Sequence, residues 1–486
     1  MATTSDATTP EPREHAPGSD EALLEKMGYK QELSRSLGFF SSFGIQFSSI
    51  AIASSTFTTL IVGLGFFGPA SFWSFVIGGA LQVFTVGLAV AQLVSAYPLA
   101  GGVYQITGRI TGRPWLAWQT GWLLVIAHAV SVTAVSVSMA PFLASWFGIT
   151  LDSNMQTAAW ASGIMVFVTL FNIAGVKVAA LLNNIGVIAE IVVVLLIIGS
   201  LLVVKHPTQP LSFLNNTGGT VLGGHWWGPA LFAMILPAYL ISSFDATGNA
   251  SEETQGANKM APMSSVVANV SAYLAGAFMI ALVFLAIQDL PAVMGSAVPF
   301  KDILDTALGR TFSTVIEAVA IVALLAAIAM LQLTGIRVLW SQSRDGQMPA
   351  APWMRKVSRQ QIPINATLTM LVASLLIGLW SSLLSVLAAM TALAWAFAYT
   401  VVVVVGLWAL AKKKLPEHPW HYGKFSVVIF VLAVIWSFVI CGVLVASDPV
   451  HVGLGLVGVI AAGCVVYLCI PASRRGRSRD TAPGHV

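Results

Sequence analysis

The sequence predicts an all-α polytopic membrane protein with about twelve transmembrane helices, and three observations carry that prediction. Hydrophobic residues make up 57% of the 486 and charged residues only 9%. The apolar residues gather in about twelve stretches, each long enough for the roughly 20-residue helix that crosses a bilayer. The positive charges alternate from loop to loop. Of the 24 Lys and Arg, 21 fall on the side that holds both termini, and only Lys205, Lys301 and Arg310 on the other.

Positive excess marks cytoplasmic loops, so both termini are expected in the cytoplasm of a multi-pass plasma-membrane protein. Lipid offers no partner to an exposed backbone group, which leaves helices or a closed barrel as spanning structures. A barrel would need strands of about ten alternating residues, and the unbroken apolar runs exclude it. The net charge of +4 is therefore a topology signal. Its residues are spread over separate loops, so no nucleic-acid partner is expected, only the lipid bilayer and a small molecule.

Taken in order, residues 1–36 read as an N-terminal tail, 37–470 as the transmembrane domain and 471–486 as a basic C-terminal tail. Residues 1–20 are rich in Thr, Pro, Glu and Asp and are expected to be disordered. Glu21 to Arg35 sets Leu23, Leu24, Met27 and Leu33 among charges, the pattern of a short interfacial helix. No signal-peptide pattern precedes the first apolar run. The spans are expected near 38–63, 71–96, 116–146, 157–174, 180–204, 227–250, 264–287, 312–335, 362–380, 384–410, 424–446 and 451–470. The third exceeds what a bilayer needs and should tilt or protrude. Segments 205–226 and 289–311 are the main external connections, the latter with a short surface helix after a Pro-Gly break. Cys441, Cys464 and Cys469 all lie in the last two spans and suggest neither a disulfide framework nor a metal cluster.

Two spans are interrupted. The first carries Ser48, Ser49, Ser54, Ser55, Thr56, Thr58 and Thr59 within its apolar run. The sixth carries Ser242, Ser243, Asp245, Thr247, Gly248, Asn249 and Ser251. Small polar residues can merely allow helices to pack closely. Their occurrence at corresponding places five spans apart instead favours a five-plus-five inverted repeat followed by two further helices. In that arrangement unwound helices expose half-helix ends at the midplane, where substrate binds.

Ionisable residues inside a membrane are costly and point to function. Glu190, Asp245 and Glu317 fall within spans, as does His128. Asp245 can meet a substrate ammonium or a coupling cation, or can cap the second half of its helix. Glu190 lies among Ile and Val, where an unpartnered carboxyl favours its protonated form and can carry a proton; it can equally be a neutral group bonded to a neighbouring helix. Glu317 sits near the outer end of its span and can simply reach water. His128 can be a packing residue. No Walker sequence, HExxH or serine-hydrolase elbow is present, and Gly218-Gly219 and Gly223-Gly224 lack the strand–helix context of a dinucleotide site. No enzyme activity and no cofactor are expected.

Four motifs carry a resemblance. They are LEKMGYKQELSR at Leu24–Arg35, AQLVSAYPLAGGVY at Ala91–Tyr104, FDATGNASEETQGANKMAP at Phe244–Pro262, and SRDGQMP at Ser343–Pro349 followed by IPINA at Ile362–Ala366. With these in order, the chain resembles the amino acid–polyamine–organocation permeases, in their amino acid/choline or GABA-permease-like branch, from about residue 24 to 470. The resemblance implies the LeuT-like broken-helix fold and a secondary transporter of an amino acid or related amine. It implies that the substrate carboxylate meets backbone N–H groups around Ser54, Ser55 and Thr56, at the positive end of a half-helix. The substrate amine would meet carbonyls and side chains near Ser242, Ser243 and Asp245. Tyr239 falls where the family places an aromatic gate, and Glu252, Glu253, Arg344 and Asp345 where an ion-paired gate would form.

The departures are specific. Gln92 stands where the family has Glu, and Ser243 where it has Gly. Glu190 falls where some bacterial proton-coupled relatives carry a lysine. The expectation is import of an amino acid or amine by alternating access, with the transmembrane proton gradient as energy source. The rivals are an amino acid/amine antiporter and, with tails of only about 36 and 16 residues leaving little room for a sensory domain, a non-transporting sensor.

Overall fold

Apolar segments of this length can satisfy their backbone in lipid only as helices, and helices are what they form. The computed structural model describes residues 20–471, apart from 34, 175, 204–207, 222–223, 297 and 381–383, together with Arg474. The N-terminal tail up to residue 19, most of the C-terminal tail, and Lys205 lie outside the described residues. Within them, nine helical stretches are long and apolar enough to cross a membrane. The interrupted first and sixth spans and the shorter Ile364–Trp380 bring the crossings to twelve.

Span 3 (Pro114–Trp146) is the axis of the bundle. Its apolar window is 94% buried, against 11% for the last span (Leu454–Cys469), which lies at the periphery. Span 3 packs on span 8 (Arg310–Arg344), span 10 (Leu384–Ala411), span 4 (Asn154–Ala174) and span 9. Span 8 runs to Arg344, nine residues beyond its expected end, and so takes Arg337 out of the loop and into the helix.

Span 5 (Val176–Val203) approaches span 8 through a glycine. A Cβ on Gly186 would lie 2.0 Å from Ala326 Cβ, so the two backbones could not come this close with any other residue there. Span 2 is interrupted by a π-helical turn at Gln82–Gly87, which turns Gln82 inward. Such single π turns accompany functional sites.

Two details at the surface go beyond the sequence. The helix Asp20–Lys26 rests on protein. Leu24 (3% exposed) and Tyr29 (4%) pack against Leu99, because the protein's own loop offers them an apolar surface. The segment after span 7 forms two short helices, Leu290–Met294 and Pro299–Leu308, rather than one. Phe300 from the second is fully buried, 4.2 Å from Phe57.

The contact at Gly186 gives a direct test. Gly186→Ala should lower the melting temperature in detergent, as overpacking by about 1–3 kcal/mol does. Adding Ala326→Gly should restore most of the loss. A double variant no more stable than the single one would mean that the contact does not set the spacing of spans 5 and 8.

Candidate substrate and coupling site

The first span is two helices, Phe39–Ile50 and Ile52–Phe67, joined at Ala51. Ala51 is left-handed (φ 46°), a conformation that costs a non-glycine residue about 1–2 kcal/mol and ends the first half. The second half therefore starts with exposed N–H groups in the middle of the bundle, and Ala51 has no side chain to cap them. Glu190, on span 5 and 1% exposed, supplies the acceptor. Its Oε1 accepts from the Ala53 N–H at 2.6 Å and the Ser54 N–H at 3.3 Å, and its Oε2 accepts from Ser54 Oγ at 2.5 Å. The carboxylate thus sits at the positive end of the half-helix dipole. Of the residues expected to receive a substrate carboxylate, Ser54 gives both donors to Glu190. Ser55 donates its N–H to the Ala51 carbonyl at 2.7 Å, and the Thr56 hydroxyl donates to the Ile52 carbonyl at 2.5 Å.

The sixth span breaks between Ile235–Leu240 and Ala246–Asn249, and again the turning residue is not glycine. Ser243 has φ 60°, which explains why a family with Gly at this position would favour it. Two glutamines satisfy the freed carbonyls. Gln82 Nε2 donates to Ile241 O at 3.2 Å and Gln46 Nε2 to Ser243 O at 2.9 Å. Gln82 is itself held by Trp436, whose Nε1 donates to its Oε1 at 2.7 Å.

Asp245 occupies the cap position of the second half, but its carboxylate does not cap the backbone. It is fully buried. Its Oδ1 accepts from the Tyr399 hydroxyl at 2.7 Å and its Oδ2 from Asn249 Nδ2 at 2.8 Å. Tyr399 stacks on Trp395 (5.6 Å), which donates to Ser131 Oγ and meets the edge of His128 at 4.6 Å. His128 Nδ1 lies 2.8 Å from the Leu124 carbonyl. Tyr239 is buried just before the break, and its carbonyl accepts from Ser242 Oγ at 3.1 Å. Among the described residues, five buried polar atoms at the two breaks have no hydrogen-bond partner: Ser48 Oγ, Gln46 Oε1, Ser243 Oγ, Thr247 Oγ1 and Asn249 Oδ1. Buried polar groups are normally bonded, so this concentration marks the space between the breaks as a place for a polar guest.

The face of the bundle that carries Asp20–Leu37, here the N-terminal face, is closed by paired charges. Arg344 forms two 2.9 Å bonds to Glu252, with both side chains at most 3% exposed, and Glu252 also accepts from the Ala100 N–H at 3.0 Å. Glu253 pairs with Arg337 at 2.7 and 2.9 Å rather than with Arg344. Asp345 accepts from Tyr104 (2.9 Å), Gln105 (2.9 Å) and Tyr29 (3.1 Å). The Tyr29 ring lies under the Arg344 guanidinium at 4.2 Å and that of Arg109 at 5.4 Å. Burial, with the charge of Asp345, pushes its phenol well above the usual range, so it stays a donor. Gln92, in place of the family's Glu, faces His418 at 3.2 Å. On the opposite face Phe57 packs between Phe300 and Phe142. Glu317 does not reach water: it is 5% exposed and lies 3.5 Å from Lys301.

The family described as "Amino acid permease" matches residues 37–468. The chain belongs to the amino acid permease family. Curated relatives agree along nearly the whole length. The amino-acid permease BAT1 of Arabidopsis thaliana is 26% identical over 453 residues, 86% of each chain. Amino-acid permease 2 of Neurospora crassa is 26% identical over 443 residues, 86% of this chain and 80% of its own. The chain is thus a multi-pass membrane transporter of amino acids and not an enzyme.

Several of the residues that pack at the breaks and the N-terminal face of this permease are not legible in the sequence. Arg337 was assigned to a loop, although an arginine within reach of an apolar span is a functional signal. Tyr399, Trp395, Gln46 and Gln82 are ordinary members of apolar runs, and only the folded bundle aims them at the breaks. Arg344→Met should cost about 3–5 kcal/mol, because it leaves Glu252 buried and unpaired. Glu252→Met together with Arg344→Met should recover much of that in thermal melting. Equal melting temperatures for wild type and Arg344→Met would show that the pair carries no stability.

Proposed function

We propose that the permease imports an amino acid or related amine by alternating access, in symport with protons, with the N-terminal face in the cytoplasm of a plasma-membrane protein. The orientation follows from the excess of Lys and Arg on that face. The observation that carries the reading is the pair of broken helices, each holding a buried carboxylate: Glu190 at the first break and Asp245 at the second. The buried Lys and Arg among the described residues are Arg337 and Arg344, both engaged by acids on the N-terminal face. The centre therefore holds two acids and no fixed cation to neutralise them. That charge suits a substrate ammonium beside Asp245 and a proton at Glu190.

In this reading the substrate amine is met by Asp245 and the freed backbone around Ser242 and Ser243. The substrate carboxylate approaches the half-helix that begins near Ser54, and Tyr239 covers the site. The Glu252–Arg344 and Glu253–Arg337 pairs, with Asp345 on Tyr29, hold the inner side shut until the bundle turns. A substrate shifts the two states only by the difference in its affinity for them, so residues that rearrange at the breaks are the ones that can couple binding to movement.

Proteoliposomes offered a mixture of amino acids and amines should accumulate one or a few compounds when an inward proton gradient is imposed. Asp245→Ala and Ser55→Trp should abolish that uptake at normal membrane abundance; wild-type uptake in both would remove the site assignment. Uptake indifferent to the gradient and seen only with substrate preloaded inside would make the protein an exchanger.

A further inference from the structure

We propose that the start of the second half of span 1 is a single carboxylate seat used in turn by two carboxylates. Glu190 holds it when no substrate is bound, and the substrate carboxylate takes it once a proton has neutralised Glu190. The proposal rests on the symport reading above and supplies its coupling step.

Three donors of this helix end are committed to one acid. Ala53 N–H, Ser54 N–H and Ser54 Oγ all point at Glu190, one set to each oxygen of its carboxylate. The next N–H along, that of Ser55, is used by Ala51 O. A second carboxylate brought to this helix end would find its donors taken and would face a like charge at contact distance, which is strongly unfavourable. An amino acid carries the same two-oxygen anion, and the occupied seat shows that this helix end accepts one. Substrate and Glu190 therefore exclude each other as anions.

What becomes of the displaced side chain decides the proton count. Span 5 is apolar around Glu190, with Val187, Val193 and Val194 buried beside it. An ionised carboxylate moved off its donors there would be uncompensated, whereas a neutral carboxyl needs one acceptor for its O–H. Ser48 Oγ is 3% exposed and without a partner, and lies 4.0 Å from the Cβ position of Gly186. Gly186 is one helical turn from Glu190 on the same face of span 5. The acceptor a protonated Glu190 requires is thus already in place one turn away. The proton comes from the outer solution onto Glu190, and it leaves to the inner solution when Glu190 regains the Ala53 and Ser54 donors as the substrate departs.

Among the described residues, the other titratable groups near span 5 are otherwise engaged, and the buried His128 of span 3 lies at the second break against Trp395, with its Nδ1 2.8 Å from the Leu124 carbonyl. Span 1 and span 4, both packed on span 5, contribute none. On span 8, Glu317 is engaged by Lys301, and Arg337 and Arg344 by Glu253 and Glu252. On span 7, Lys259 is exposed and the Tyr273 hydroxyl donates to Val76 O. On the helix Pro299–Leu308, Asp305 pairs with Lys301 and Asp302 accepts from Ser296. Asp245 belongs to the second break and is held by Tyr399 and Asn249.

The test measures equilibrium binding of the transported amino acid to the purified full chain between pH 5 and pH 8, with no gradient. Binding that takes up one proton strengthens as pH falls, so the wild-type Kd should rise about tenfold per pH unit on the alkaline limb. The corresponding amine, which lacks the carboxylate, should bind with no such slope. Glu190→Gln should bind the amino acid independently of pH and equilibrate it without accumulation, while Glu190→Asp should retain the slope. A flat wild-type Kd alongside gradient-driven uptake overturns the proposal alone, as does gradient-driven accumulation by Glu190→Gln. Absence of gradient-dependent uptake of any compound overturns the symport reading and this proposal with it.

Discussion

The constraint on which this structure depends is that a backbone group in lipid must find its partner inside the protein. Helical bonds meet it locally at every span but two. At the two breaks the chain gives up some of those internal bonds, and part of what it releases is met by side chains from other spans. The N–H groups at Ala53 and Ser54 are met by Glu190, the carbonyl of Ile241 by Gln82, and that of Ser243 by Gln46. These three polar side chains are therefore as much a part of the broken helices as the breaks themselves. Each one bridges two elements of the bundle: Glu190 spans 5 and 1, Gln82 spans 2 and 6, and Gln46 spans 1 and 6.

The two breaks are held by parallel means with different chemistry. Span 5 gives Glu190 to the break in span 1, and span 10, five crossings later, gives Tyr399 to Asp245 at the break in span 6. At the first break the acid lies on the supporting helix and the donors on the broken one. At the second the acid lies on the broken helix and the donor on the support. Both carboxylates receive only uncharged donors: backbone N–H groups and a serine hydroxyl at Glu190, a tyrosine hydroxyl and an asparagine amide at Asp245.

Much of the architecture was legible because it follows from length and hydropathy. The twelve crossings, the positions of both breaks and the acids at them are written in apolar runs interrupted by Ser, Thr, Asp and Asn. The end of span 8 was misplaced because Arg337 looks like a loop charge, and only its buried bonds to Glu253 show that a helix can carry it inward. The partners at the breaks were not legible for a related reason. Glu190 announces itself as an acid in a membrane, but nothing in its neighbours along the chain says that it meets Ala53 and Ser54, 137 and 136 residues away. Tyr399, Gln82 and Gln46 are less visible still, since a lone polar or aromatic residue in a span is common and its target depends on which way its helix faces. The N-terminal segment is ambiguous for the opposite reason. Its amphipathic pattern fits a membrane surface and a protein surface equally, and the apolar loop around Leu99 lies closer.

The closures on the two faces differ in kind, and the difference has a consequence for the cycle. On the N-terminal face the closing contacts are ion pairs and charge-assisted hydrogen bonds, buried with Tyr29 laid over Arg344. A buried pair gains little over its separated and hydrated partners, because the Coulomb attraction is largely cancelled by desolvation. Such a closure is specific when shut yet loses little when water enters, so long as both partners are wetted together. On the other face Phe57, Phe142 and Phe300 meet ring to ring, and exposing them to water has no compensating hydration. The charged contacts thus lose less on wetting than the aromatic ones. Removing one partner of a pair would reverse that advantage, since an acid left buried alone resists both states. On the N-terminal face Glu252 is matched by Arg344 and Glu253 by Arg337, while Asp345 is held by the uncharged donors of Tyr104, Gln105 and Tyr29.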